Sequence, residues 1–188
     1  MLEEGRERLD PVAFALRLGV RRARLFDGLP AVLQVLRRER WHQRWLIATR
    51  HLAAKHGLEK IKTIGDAFMA AAGLLNTVVD PLDAAVRCGL ELASTSIDAR
   101  LGWAVRVGVH VGPVVAGIVG QVRYQFDIWG DTVNVAARMA GKGKPGSVAL
   151  THDAWDQISS RFAGESLGAL EVKGKGSIPV FEVRGVMA

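Results

Sequence analysis

The run RYQFDIWGDTVNVAAR at 123–138 gathers side chains able to hold a charged small molecule. In YQFDI the apolar Tyr124, Phe126 and Ile128 alternate with Gln125 and Asp127, the period of a strand with one buried face, so Asp127 is expected to point away from that face. Trp129 and Gly130 break the alternation, and Asp131 has the chemistry of an N-cap. Asn134 and Arg138 follow, four residues apart. On a helix that spacing puts an amide and a guanidinium on one face, in reach of one ligand beyond the strand end. An arginine fork binds two phosphate oxygens at once; the plain alternative is a polar pair facing water. Upstream, Gly65 and Asp66 form a hairpin turn between LEKIKTI and AFMAAAG, and Lys62 shares a side with Asp66 if the strand runs straight. Taken alone, Asp66 is an ordinary turn residue and Lys62 a surface lysine. Lys175 sits in KGKG, where a bare hairpin turn is the plain alternative.

The elements that must position these groups follow from periodicity. Residues 1–28 show no sustained period beyond a short helical stretch over 11–18. Leu29 to Lys55 reads as an amphipathic helix, with Leu33, Leu36, Trp41, Trp45 and Leu52 on one face and Arg37, Arg38, Arg40 and Arg44 on the other. Gly57 ends it as a C-cap. Asp80 and Pro81 open a helix whose Leu82, Ala85, Val86, Leu92, Ala93 and Ile97 recur at helical spacing, with Cys88 an inert neighbour. Val105, Val107, Val109 and Val111 make a strand with His110 on the opposite side, and no metal-ligating partner at suitable spacing. A strand SVALT, a short helix over 152–159, and strands near 169–172 and 178–183 complete the chain. Hairpins mixed with crossover helices predict an α+β sandwich with a mainly antiparallel sheet. Gly141, Gly143 and Gly146 match G-x-G-x-x-G, but after a helix and before a strand, the reverse of a dinucleotide-binding turn.

Composition narrows the classes. A chain of 188 residues, 49% hydrophobic, supports one buried core. The single cysteine excludes an internal disulfide framework and fits a reducing, cytoplasmic setting. The longest apolar run, 67–75, falls short of the roughly 18 residues that span a membrane, so no membrane segment is expected. The net charge of +6 sits in residues 1–55, with twelve basic residues against six acidic. A solvated amphipathic helix explains that excess better than a nucleic-acid surface, so nucleic acid is not expected as a partner.

Four ordered segments carry a resemblance: HGLEKIKTIGDAFMAAAGL at 56–74, RVGVHVGPVVAGIVG at 106–120, YQFDIWGDTVNVAARM at 124–139 and VKGKG at 172–176. The chain resembles class III nucleotide cyclase catalytic domains, the adenylate and guanylate cyclases. On this basis 56–188 is the cyclase catalytic domain and 1–55 an atypical basic segment. The resemblance implies a ferredoxin-like α/β sandwich and conversion of ATP to 3′,5′-cyclic AMP and pyrophosphate, with two Mg²⁺ or Mn²⁺ ions per site. It implies Asp66 as a metal ligand, Lys62 and Asp127 as the pair that reads adenine, Asn134 as the ribose contact, Arg138 at the reacting phosphate and Lys175 at the terminal phosphates. It also implies a head-to-tail homodimer, because the family's sites lie between two chains.

The family's first metal aspartate lies in a strand motif F-x-D-I-x-G-F-T that is absent here, so the first strand is expected to be missing or degenerate. The family's usual separation from Asp66 leads to Arg22, and a guanidinium repels a metal ion; Asp27 is the nearest carboxylate. Two readings therefore stand: an active adenylate cyclase domain, or a cyclase-homology module that binds nucleotide or dimerises without turnover. Translation of residues 1–50 out of frame would account for the abrupt end of the resemblance.

Overall fold

The computed structural model describes residues 20–26, 31–37, 43–64, 67–97, 105–120, 123–172 and 175–187. The valine alternation does form a strand, β5 (Val105–Val111), and it lies at the middle of the main sheet. Around it run β2 (Ala31–Arg37), β3 (Glu59–Ile64), β4 (Ala67–Ala72), β8 (Ser147–Thr151), β9 (Phe162–Val172) and β10 (Gly176–Val186), in the order β3-β4-β2-β5-β8-β10-β9. Every neighbouring pair is antiparallel except β5 with β8. A smaller antiparallel sheet, ordered β1-β6-β7, is made from β1 (Val20–Phe26), β6 (Val114–Val119) and β7 (Gln125–Trp129).

Four helices among the described residues complete the fold: α1 (Gln43–Lys55), α2 (Pro81–Ile97), α3 (Asp131–Lys142) and α4 (His152–Ile158). The Asp80 carboxylate accepts the Asp83 N–H at 2.9 Å, capping α2 as its sequence predicts. Gly57, with φ of 76°, ends α1 in the left-handed region that favours glycine. Cys88 is buried in α2, and burial pushes its thiol up to about 12, so it stays protonated.

The period of two divides the central strands between two cores. Leu33, Phe68, Ala70, Val107 and Val109 pack with Leu82, Ala85 and Val86 of α2. Val32, Met69 and Ala71 pack on the other face with Val114, Ala116, Ile128 and Ala136 of β6, β7 and α3. α3 can lie on β5 because position 108 is glycine; a Cβ there would overlap the Ala136 carbonyl and the Ala140 amide.

The structure corrects the amphipathic helix expected over 29–55. Its first part holds β2, hydrogen-bonded to β4 on one side and β5 on the other, and among the described residues of that range only Gln43–Lys55 is helical. Ala31, Val32, Leu33 and Gln34 are all buried, and a short apolar run buried on both faces has no period that separates strand from helix. Trp41, Arg38 and Arg40 lie outside the described residues. β1 was also not expected: VRRARLF carries little apolar alternation, and its pairing to β6 supplies the register. The first-strand slot is filled by a strand without the expected motif, AVLQVLR, which contains no carboxylate. The two final strands extend to eleven residues each, because their mostly exposed hairpin continues where apolar alternation stops. Among the described residues no helix is long and apolar enough to cross a membrane.

Candidate functional site

The site is built over one rung of the main sheet. Met69 of β4 pairs with Lys62 of β3 on one side and with Gln34 of β2 on the other. Residues 62–64 keep unbroken register with β4 up to the hairpin, beyond an irregularity at Lys60/Lys62. Over this floor stand the end of β7 and the first turns of α3. Together they enclose a cavity of about 570 Å³, lined by Gln34, Lys62, Ile64, Trp129, Val133 and Asn134 among others.

Lys62 Nζ donates to Asp127 Oδ2 at 2.6 Å, with side chains only 21% and 12% exposed. The other carboxylate oxygen, Oδ1, accepts the Ile128 N–H at 2.8 Å. The pair singled out in the sequence is thus assembled within one chain. The strand pattern itself needs amending. Asp127 and Ile128 are both buried because β7 is covered on both faces, whereas Tyr124 precedes the strand and is exposed. Asn134 and Arg138 stand exposed one helical turn apart on α3, and Asn134 lines the cavity.

A second cavity of about 700 Å³ adjoins the first and shares Gly130 and Asp131 with it; His110, Thr151, His152, Asp153 and Lys175 are among its other polar lining residues. Lys175 forms an ion pair with Asp131 between the two cavities. Asp131 is therefore not the N-cap expected from sequence. Gly130, with φ of 129°, holds the cap position, no side chain caps the helix, and Asp131 begins the helix with its carboxylate turned to Lys175. The Thr132 hydroxyl donates to the Pro113 carbonyl at 2.7 Å and ties the start of α3 to the β5–β6 connection. His110 Nδ1 lies 2.9 Å from Thr151 Oγ1. Burial, then the Lys175 charge, lowers the His110 pKa below the ordinary histidine value, against Asp131 and Asp153.

Asp66 lies outside the described residues, although Ile64 pairs with Ala67 across the two-residue connection that contains it. On the β2 side, Leu36 is opposite Ala67, and the described strand Ala31–Arg37 carries no carboxylate. Among the described residues no group of three or more His, Cys, Asp or Glu side chains could hold a metal ion.

Sequence reasoning missed Gln34. Its amide is buried, donates from Nε2 to the Val133 carbonyl at 3.1 Å, and lies 3.6 Å from Met69 Sδ. The available signal was a lone polar residue inside the apolar run AVLQVL. In chemical terms Lys62 brings to the first cavity an ammonium backed by the Asp127 carboxylate, and Gln34 and Asn134 bring two amides, with a guanidinium one turn beyond. An ammonium stands at the neighbouring cavity for an anionic tail.

Residues 44–185 match the sequence profile of the adenylate and guanylate cyclase catalytic domain. The chain is similar to the germination-specific adenylate cyclase of Dictyostelium discoideum, 38% identical over 142 residues that cover 71% of this chain and 17% of that protein. It is also similar to an adenylate cyclase of Mycobacterium tuberculosis, 36% identical over 143 residues, 73% of this chain and 32% of that one. The chain thus spans less than a third of the length of these curated relatives. Among solved structures it resembles the catalytic core of a rhodopsin-guanylyl cyclase with converted specificity in complex with ATPαS. The TM-score is 0.80 at 26% identity, over 88% of this chain and 99% of that one.

Proposed function

The chain belongs to the adenylate and guanylate cyclase catalytic domain family, and from that premise we propose that it converts ATP to 3′,5′-cyclic AMP and pyrophosphate as a head-to-tail homodimer in the cytoplasm. The observation that carries the choice of ATP is the 2.6 Å pair of Lys62 and Asp127 at the cavity. An ammonium donor beside a carboxylate acceptor matches the edge of adenine, which presents a ring-nitrogen acceptor and an amino donor. The relatives named above as adenylate cyclases favour the same substrate.

In the reaction the ribose 3′-oxygen attacks the α-phosphorus, a new P–O bond forms, the bond to the bridging oxygen breaks in line, and pyrophosphate leaves. The hydroxyl proton passes to solvent. Asn134 orients the ribose, and the Arg138 guanidinium takes up charge on the α-phosphate oxygens. Lys175 leaves Asp131 to hold the terminal phosphates. Cyclases of this family use divalent ions. We assign Asp66 as the carboxylate for Mg²⁺ or Mn²⁺, and draw no step through the ion because the described residues do not complete its site.

A second reading has its own support: β2 fills the strand slot against β4 without any carboxylate. On this reading the domain binds nucleotide or dimerises without cyclising ATP. Cyclic AMP formation from ATP with Mg²⁺ or Mn²⁺, alongside Asp66→Ala and Arg138→Ala, separates the two. Product that disappears in both variants establishes the enzyme. A folded, dimeric chain that yields no product is the module, whether or not it binds ATP, and a folded chain that neither binds ATP nor dimerises refutes both.

A further inference from the structure

Gln34 lies on the same rung as Lys62, with Met69 between them, about two strand spacings of 4.8 Å across. Only 6% of it is exposed, and it lines the cavity that holds Lys62 and Asn134. Its amide orientation is set by its neighbours, since the Val133 carbonyl at 3.1 Å requires an N–H donor. Nε2 is also the atom beside Met69 Sδ. The carbonyl oxygen is left as the group with spare capacity, and among the described residues no donor reaches it.

We propose that Gln34 is a specificity-determining residue whose carbonyl oxygen accepts a hydrogen bond from the exocyclic 6-amino group of the purine held over the Lys62–Met69–Gln34 rung. The inference rests on the nucleotide-binding reading above and sharpens it. A 6-amino group has two hydrogens, so it can serve both the Asp127 carboxylate and the Gln34 carbonyl. A 6-oxo purine would set carbonyl against carbonyl. Turning the amide to relieve this would face the Gln34 carbonyl to that of Val133 and lose the 3.1 Å bond. One polar residue thereby rewards the amino purine and penalises the oxo purine. Met69, buried in the core between Lys62 and Gln34, fixes the spacing of the two polar side chains.

The test compares two nucleotides that differ only in the 6-amino group: 3′-deoxy-ATP and the 3′-deoxy form of purine riboside triphosphate. Neither can cyclise without the attacking hydroxyl. Affinities are measured by calorimetry on the full chain and on Gln34→Met and Gln34→Leu, with folding checked by thermal melting. Loss of one hydrogen bond predicts about a fivefold weaker 3′-deoxy-ATP complex, with the amino-free nucleotide changed by less than about twofold. Lys62→Met and Asn134→Ala serve as reference variants. If they weaken 3′-deoxy-ATP while the Gln34 variants weaken both nucleotides equally or neither, the inference is overturned and the binding reading stands. If neither reference variant weakens binding, or the folded chain binds neither nucleotide, both fall.

Discussion

Replacing Lys62 by methionine removes the ammonium and keeps most of the stem, which isolates the ion pair under the cavity. The Asp127 carboxylate is 12% exposed, and Oδ2 would lose its partner at 2.6 Å while Oδ1 keeps the Ile128 N–H. Leaving a buried acceptor unsatisfied costs about 1–3 kcal/mol, and partial access of water to both side chains places this case near the lower half of that range, about 1.5 kcal/mol. For a domain of this size that shifts the melting midpoint by roughly 3–6 °C. Asp127→Asn should also destabilise, because the amide turns an N–H towards the ammonium or gives up the Ile128 bond. In the double variant neither charge is stranded. Thermal and urea unfolding of the two singles and the double should therefore show a coupling of at least about 0.5 kcal/mol, with the double more stable than the sum predicts. Additive effects within about 0.3 kcal/mol would refute the view that these two groups depend on each other, and with it the base-reading pair as a preorganised unit.

Three further outcomes follow from other parts of the fold. Gly108→Ala should lower stability by about 2 kcal/mol or more and weaken nucleotide binding at a distance, since the new methyl pushes α3, with Asn134 and Arg138, off β5; denaturant titration and calorimetry read both effects. His110 has a folded-state pKa below its unfolded value, so the unfolded chain binds the extra proton first, and its share of stability is present above about pH 6.5 and is lost as pH falls below that. His110→Gln should shrink the drop in melting temperature between pH 7.5 and 5.5. Cys88, buried and with its thiol held protonated, should resist maleimide labelling at pH 7.5 in the native chain and react once unfolded, as mass spectrometry would show.

Much of the candidate site's local geometry was legible because it depends on neighbouring residues. The four-residue step from Asn134 to Arg138 holds in α3, and the hairpin of LEKIKTI with AFMAAAG forms as β3 and β4. The valine alternation of β5 and the Asp80 cap of α2 needed no information beyond neighbouring residues. Order along the chain also carried the family, since four motifs in sequence fix more than any one of them.

Tertiary structure decided what depends on partners distant in sequence. AVLQVLR has no period of its own that selects strand over helix; β4 and β5 make it a strand by accepting its backbone hydrogen bonds from both sides. Asp131 has the side chain of a cap, but Lys175, forty-four residues on, draws its carboxylate away and leaves Gly130 at the cap position. Gln34 becomes a cavity residue only because Met69 aligns it with Lys62 and Val133 orients its amide. Sequence thus determined which groups exist and their local faces; long-range pairing decided which of them meet, because strand register and ion pairing depend on residues the local pattern cannot see.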